Sequence, residues 1–142
     1  PGRYHFGETR PISSLTGYEE ELGLSPVIFQ ECIERGQDIR VTIFGDKEYA
    51  AVVKTPSDED LIDWRIDPLV DYEPYNLDEK VTRKLKAVLD ALGIVTGSFD
   101  LRIDRGGLPY FFEVNPSGQF LYLARYGYPR VGEEFARFLC GE

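Results

Sequence analysis

The sequence predicts an α+β domain, an antiparallel sheet with two helices packed on it. β-branched and aromatic runs at residues 27–33, 39–44, 48–54 and 98–115 read as strands. Apolar stripes at helical spacing near residues 77–92 and 129–140 supply the helices. The mixture of the two periodicities, with no internal repeat, sets the class. At 142 residues and 42% hydrophobic, the chain has enough apolar surface for one core. No run of about 18 apolar residues occurs, so no transmembrane helix and no membrane partner are expected. No basic, apolar N-terminal stretch reads as a signal peptide. The balance of 16 Lys+Arg against 25 Asp+Glu gives a net charge of −9, the wrong sign for a general nucleic-acid binder. Cys32 and Cys140 lie far apart and lack metal-ligand spacing, as expected of reduced thiols in a cytoplasmic protein.

In chain order, residues 1–25 are punctuated by Gly and Pro and read as an irregular N-terminal segment, with a short helix near Leu15 to Leu22. Residues 26–142 read as the folded unit. The run 27–33 is expected as a buried strand, and Gly45-Asp46-Lys47 as the turn of a hairpin joining 39–44 to 48–54. Residues 56–75 are acidic and loop-like. Asn76 as N-cap with Glu79 three residues on forms a capping box. The helix then buries Leu77, Val81, Leu85, Val88, Leu89 and Leu92 before Gly93 ends it. A last helix over 129–140 is expected to bury Val131, Phe135, Phe138 and Leu139.

The hairpin at 98–115 carries the chemistry. A turn at 105–108, or a tighter one at Gly106-Gly107, places Asp100 opposite Glu113. Period-two alternation puts Phe99, Leu101, Ile103, Tyr110, Phe112 and Val114 on one face. It puts Ser98, Asp100, Arg102, Phe111, Glu113 and Asn115 on the other. Opposed residues have Cβ atoms only about 4.5–5.5 Å apart, so two carboxylates there repel. Spacing alone leaves two readings open. The acids are solvated and partly neutralised by Arg102, or a divalent cation sits between them with Asn115 as a third oxygen, a donor set that suits Mg²⁺.

Gly97-Ser98-Phe99-Asp100-Leu101-Arg102 and Phe112-Glu113-Val114-Asn115-Pro116-Ser117-Gly118-Gln119 resemble the C-terminal part of an ATP-grasp ligase. There an acid on one strand and Glu-x-Asn on the next hold Mg²⁺ on ATP. Phe29-Gln30-Glu31-Cys32-Ile33 is similar to the hinge whose backbone receives adenine. Asp38-Ile39-Arg40-Val41 is similar to the strand start where an acid meets ribose and an arginine reaches the reacting phosphate. Asp63-Trp64-Arg65 and the Asn-Pro-Ser-Gly-Gln stretch resemble the microviridin or graspetide subgroup, which cross-links ribosomal peptides.

The resemblance implies ATP and Mg²⁺ as cofactors, with Asp100, Glu113 and Asn115 as metal ligands. Gln30, Glu31, Cys32, Ile33 and Asp38 would bind nucleotide. Arg40 would stabilise a transferring phosphate, and Arg102 would orient a carboxylate or neutralise the acidic face. The implied reaction is carboxylate activation as an acyl phosphate, followed by attack of an amine or hydroxyl. The partner is a precursor peptide or a small carboxylate, a RimK-like or glutathione-synthetase-like ligase is the alternative, and a non-catalytic nucleotide-binding module is a third reading. A homodimer is compatible with all three. From position alone, Arg40 equally fits a solvated strand face, and Trp64 either a peptide groove or a cap on the core. His5 and the scattered tyrosines show no binding pattern. Only 26 residues precede Val27, and no lysine precedes Lys47. The chain is therefore expected to be a C-terminal fragment, inactive or nearly so alone, with residues 1–25 as the tail of a missing first lobe, Gly2 to Gly7 as the tail of its glycine-rich loop, and roughly 180 residues upstream.

Overall fold

The alternation of side chains along two hairpins divides the fold into two unlike faces of one sheet. A computed structural model describes residues 9, 11–24, 26–33, 36–55, 63–66 and 69–142. Strands β1 (Gly36–Phe44) and β2 (Lys47–Lys54) form the first hairpin, closed by Gly45 and Asp46. Gly45 has φ 53°, the left-handed backbone that a two-residue hairpin turn demands. With β3 (Asp71–Pro74), β4 (Thr96–Asp104) and β5 (Pro109–Asn115) they make a five-stranded antiparallel sheet in the order β3-β2-β1-β4-β5. Helices α1 (Glu19–Leu22), α2 (Glu79–Leu92) and α3 (Val131–Cys140) complete the fold, with 3₁₀ turns at Trp64–Ile66 and Leu121–Arg125.

One face carries Ile39, Val41, Ile43, Ala50, Val52, Phe99 and Leu101, and α2 covers it with Leu85 and Leu89. Each buried leucine contributes about 1.5–3 kcal/mol. The other face is covered only in part. Phe44, Tyr49 and Ala51 pack under Leu123 and Val131, with Phe135 and Phe138 alongside. Tyr49 donates its hydroxyl to Glu134, and Tyr128 donates to the Ala50 carbonyl at 2.6 Å. The rest of this second face is polar.

The α+β class and the antiparallel sheet with its two packed helices are as expected, and several details differ. Residues 27–33 form no strand: Val27 is 51% exposed and Ile28 91%. β-branched composition makes a chain extended, but a strand also needs a ladder partner, and none of the described residues provides one. The helix expected near Leu15 to Leu22 shrinks to four residues. The acidic stretch before Tyr75, expected as loop, contains β3, a short edge strand. The α2 cap is Asp78, whose carboxylate accepts from the Lys80 amide at 2.7 Å, and not Asn76. Leu92 and Leu139 are 56% and 68% exposed, each in the last turn of its helix. His5, the Gly2 to Gly7 stretch and the acids at 58–60 lie outside the described residues.

Candidate active site

Three adjacent cross-strand pairs of β1 and β4 build the polar face: Asp38 opposite Arg102, Arg40 opposite Asp100, and Thr42 opposite Ser98. Charge alternates along both strands in opposite phase, so each acid meets a base. Arg102 donates Nε to Asp38 Oδ1 and Nη2 to Oδ2, both at 2.8 Å, a bidentate fork. Its Nη1 donates to the Ile33 carbonyl at 3.3 Å, and its guanidinium lies 5.6 Å from the Phe112 ring centroid. Arg40 Nη1 reaches both oxygens of Asp100, at 2.9 and 3.2 Å. Its buried Nε has no hydrogen-bond partner among the described residues. The Thr42 and Ser98 hydroxyls share a buried bond of 3.1 Å.

β5 adds the second acid. Asp100 pairs directly with Glu113, and Ser98 with Asn115, as the alternation predicts. Between Asp100 and Leu101 the register shifts by one residue, so Leu101 pairs with Phe111 and Arg102 with Tyr110. This β-bulge moves three aromatic residues off their expected faces, Tyr110 among them, which now shares the polar face with Arg102. Phe111 joins Phe99 on the apolar face, ring centroids 6.3 Å apart, and Phe112 joins Arg102 on the polar one. After β5 the chain turns sharply. Asn115 Oδ1 accepts the Ser117 amide at 3.0 Å, and the Gly118 amide closes on the Asn115 carbonyl at 3.2 Å. A Cβ on Gly118 would lie 2.5 Å from Ser98 Cβ, so only glycine lets the turn rest on β4.

Asp100 is the electrostatic centre. Burial raises its carboxyl above the usual range, the neighbouring Arg40 guanidinium opposes that, and the Glu113 carboxylate raises it further. Two carboxylates and an amide oxygen, with no nitrogen or sulfur donor, fit a hard divalent cation. Asn115 Oδ1 accepts both the Ser117 amide at 3.0 Å and, more weakly, the Ser117 hydroxyl at 3.4 Å, so a cation there would take the place of the hydroxyl. Among the described residues no group of three or more His, Cys, Asp or Glu side chains converges to hold a metal. Any cation here would thus depend on the amide or on further ligands.

Aromatic rings stand beside the Arg40–Asp100 pair. Tyr72 packs on Tyr122 at 4.6 Å and on Tyr126 at 5.3 Å, with Trp64 edge-on at 6.3 Å. Burial raises the Tyr72 and Tyr122 phenols, more than the positive Arg40 lowers them, so both remain protonated. Asp63 is buried and accepts Arg65 Nε at 2.7 Å and Nη2 at 2.8 Å. Arg65 in turn feels the negative field of Glu113 and Asp100.

The fold thus brings Arg40, Asp100, Glu113 and Asn115 together and ties Asp38 to Arg102. Gln30, Glu31 and Cys32 lie on an exposed segment, which Ile33 joins to the site through its carbonyl. Sequence reading missed Tyr72 and Tyr122 as neighbours of Arg40. The pairing of Tyr72 with Val53 brings them there, and it was hidden because β3 was.

No known family profile and no curated protein matches the sequence. Solved structures do. The macrocyclase MdnC of Microcystis aeruginosa MRC, bound with precursor peptide MdnA, is 25% identical over 78% of this chain, with a TM-score of 0.63. A Chryseobacterium gregarium RiPP-associated ATP-grasp ligase, in complex with ADP and a leader and core peptide, is 26% identical over 79%, with a TM-score of 0.71. The macrocyclase MdnB of Microcystis aeruginosa MRC matches 93% of the chain at 20% identity, with a TM-score of 0.65. This chain spans 35%, 35% and 47% of those three chains. Its fold is part of an ATP-grasp ligase fold, of the kind found in RiPP-associated ligases.

Proposed function

We propose that this chain supplies the Mg²⁺-binding part, and some of the nucleotide-binding part, of an ATP-dependent ligase that modifies a ribosomal precursor peptide. The observation that carries the reading is the direct pairing of Asp100 with Glu113, on the open face of the sheet, beside Arg40 and Asn115. Asp100, Glu113 and Asn115 would hold Mg²⁺, which when bound supplies charge neutralisation at the ATP phosphates. Phosphoryl transfer depends mostly on positioning and charge, so an arginine and an acid pair are the parts it needs.

Arg40 is bound to Asp100 in the present arrangement. A cation held by Asp100 would neutralise that carboxylate, and the planar fork of Arg40 would then suit a phosphate or acyl-phosphate oxygen. The chemistry of the reading is attack of a carboxylate oxygen on the γ-phosphorus, loss of ADP, and displacement of phosphate by an amine or hydroxyl. Neighbours solved with ADP and peptide support ATP and a peptide as the ligands.

The test is Glu113→Ala in the ligase carrying this chain. ATP turnover should fall at least 100-fold, about the loss of one strong charge contact in a transition state, with an unchanged circular dichroism spectrum. Normal turnover refutes the metal assignment. On the chain alone, Mg²⁺ or Mn²⁺ at millimolar concentration should shift the amide resonances of Asp100 and Glu113.

A further inference from the structure

We propose that Arg102 is a positioning residue that anchors the 26–33 segment to the acid-bearing hairpin, an inference that rests on the nucleotide reading above for its functional consequence. Among the described residues, Arg102 grips three separate parts of the chain at once. Its fork takes both oxygens of Asp38 at the start of β1, its remaining amino group takes the Ile33 carbonyl, and its flat face lies on Phe112. The Arg102 and Asp38 side chains are only 10% and 16% exposed. The bond to Ile33 gives the exposed 26–33 segment a polar tie to the sheet, although its side chains are largely in solvent.

The geometry has a direct consequence. Arg102 is two residues from Asp100 on the same strand and the same face, so fixing Ile33 against Arg102 fixes it against the carboxylates. A ligand bound at one end by backbone near Ile33, and at the other by a cation on Asp100 and Glu113, must match that spacing. The bulge contributes as well. Phe112 is the residue the bulge leaves unpaired; regular alternation would put it on the apolar face, away from the guanidinium. Arg102 itself touches no reacting atom and acts through Asp38 and Ile33.

The test uses Arg102→Lys, which keeps the positive charge beside Asp38 but cannot span Asp38 and Ile33 together. The exposed Cys32 next to Ile33 takes a nitroxide spin label in a Cys140→Ser background, and its mobility is read by electron paramagnetic resonance. The substitution should sharpen the label spectrum and, in the unlabelled ligase carrying this chain, raise the dissociation constant for ATP with Mg²⁺ about tenfold, the scale of one charged hydrogen bond. Asp38→Asn, which leaves one neutral oxygen for Arg102, should move both in the same direction by less. An unchanged label spectrum in Arg102→Lys overturns the anchoring, and so does a loss of thermal stability in both variants with label mobility unchanged. Mobile label with unchanged ATP affinity overturns the positioning role. Failure of the unsubstituted protein to bind ATP refutes the nucleotide reading, and the label comparison then decides the anchoring by itself.

Discussion

Gly118 is the residue whose replacement has the most calculable effect. A methyl there would meet Ser98 Cβ at 2.5 Å and Oγ at 2.7 Å, both part of a buried strand. Ordinary carbon contacts lie near 3.5–4.0 Å, so the turn would have to lift by about 1 Å or β4 would have to yield. Overpacking of that kind costs about 1–3 kcal/mol. Ser98→Gly removes the opposing Cβ but breaks the hydroxyl bond to Thr42, about 1 kcal/mol, and adds strand flexibility worth about 0.5–1 kcal/mol. In Gly118→Ala with Ser98→Gly the clash is absent, so the double variant should be more stable than the sum of the singles by about 1–2 kcal/mol. The assay is urea denaturation of all four proteins as a double-mutant cycle, with slopes compared to confirm one transition. Losses that add to within about 0.5 kcal/mol would refute the close-approach explanation of Gly118.

The helix cap separates two candidates only two residues apart: Asp78→Ala should cost about 1 kcal/mol, and Asn76→Ala less than about 0.5 kcal/mol, by thermal melting. Asp63 has its carboxyl held below the usual value of 3.8, chiefly by the Arg65 hydrogen bonds and against the effect of burial. Its contribution is therefore present above 3.8 and is lost as pH falls through its lower folded-state value. Asp63→Asn should destabilise by roughly 1 kcal/mol at pH 7, discounted because Arg65 is half exposed, and the difference should close in acid. A difference that persists unchanged in strong acid would point to packing instead.

The acid-bearing hairpin is legible in the sequence because two inputs determine it, the turn position and a period of two. Both survive from Ser98 to Asp100, and there the predicted partners are the observed ones. Beyond Asp100 the bulge intervenes, and no residue in Leu101-Arg102 or Phe111-Phe112 announces it, so Tyr110 and the two phenylalanines change faces. β3 is illegible for a different reason. Asp71-Tyr72-Glu73-Pro74 has the acids and proline that an edge strand tolerates and a loop also favours. Residues 27–33 show the converse error, since apolar composition records extended preference and is silent about pairing. The partners of Arg40 and Arg102 follow from the β1–β4 register, a long-range quantity that neither strand's sequence contains.

The bulge between Asp100 and Leu101 divides the β4–β5 ladder into two registers, while β4 stays paired to β1 without a break. On one side the pairs Asp100–Glu113 and Ser98–Asn115 keep one register, and on the other the strands run out to the turn in another. A change of length at the turn can be absorbed at that dislocation before it reaches the acids. The outer hairpin is thereby open to evolutionary drift in its loop, and to the insertion of a reporter, while the spacing of the two carboxylates stays under the control of β1 and the turn that rests on Ser98.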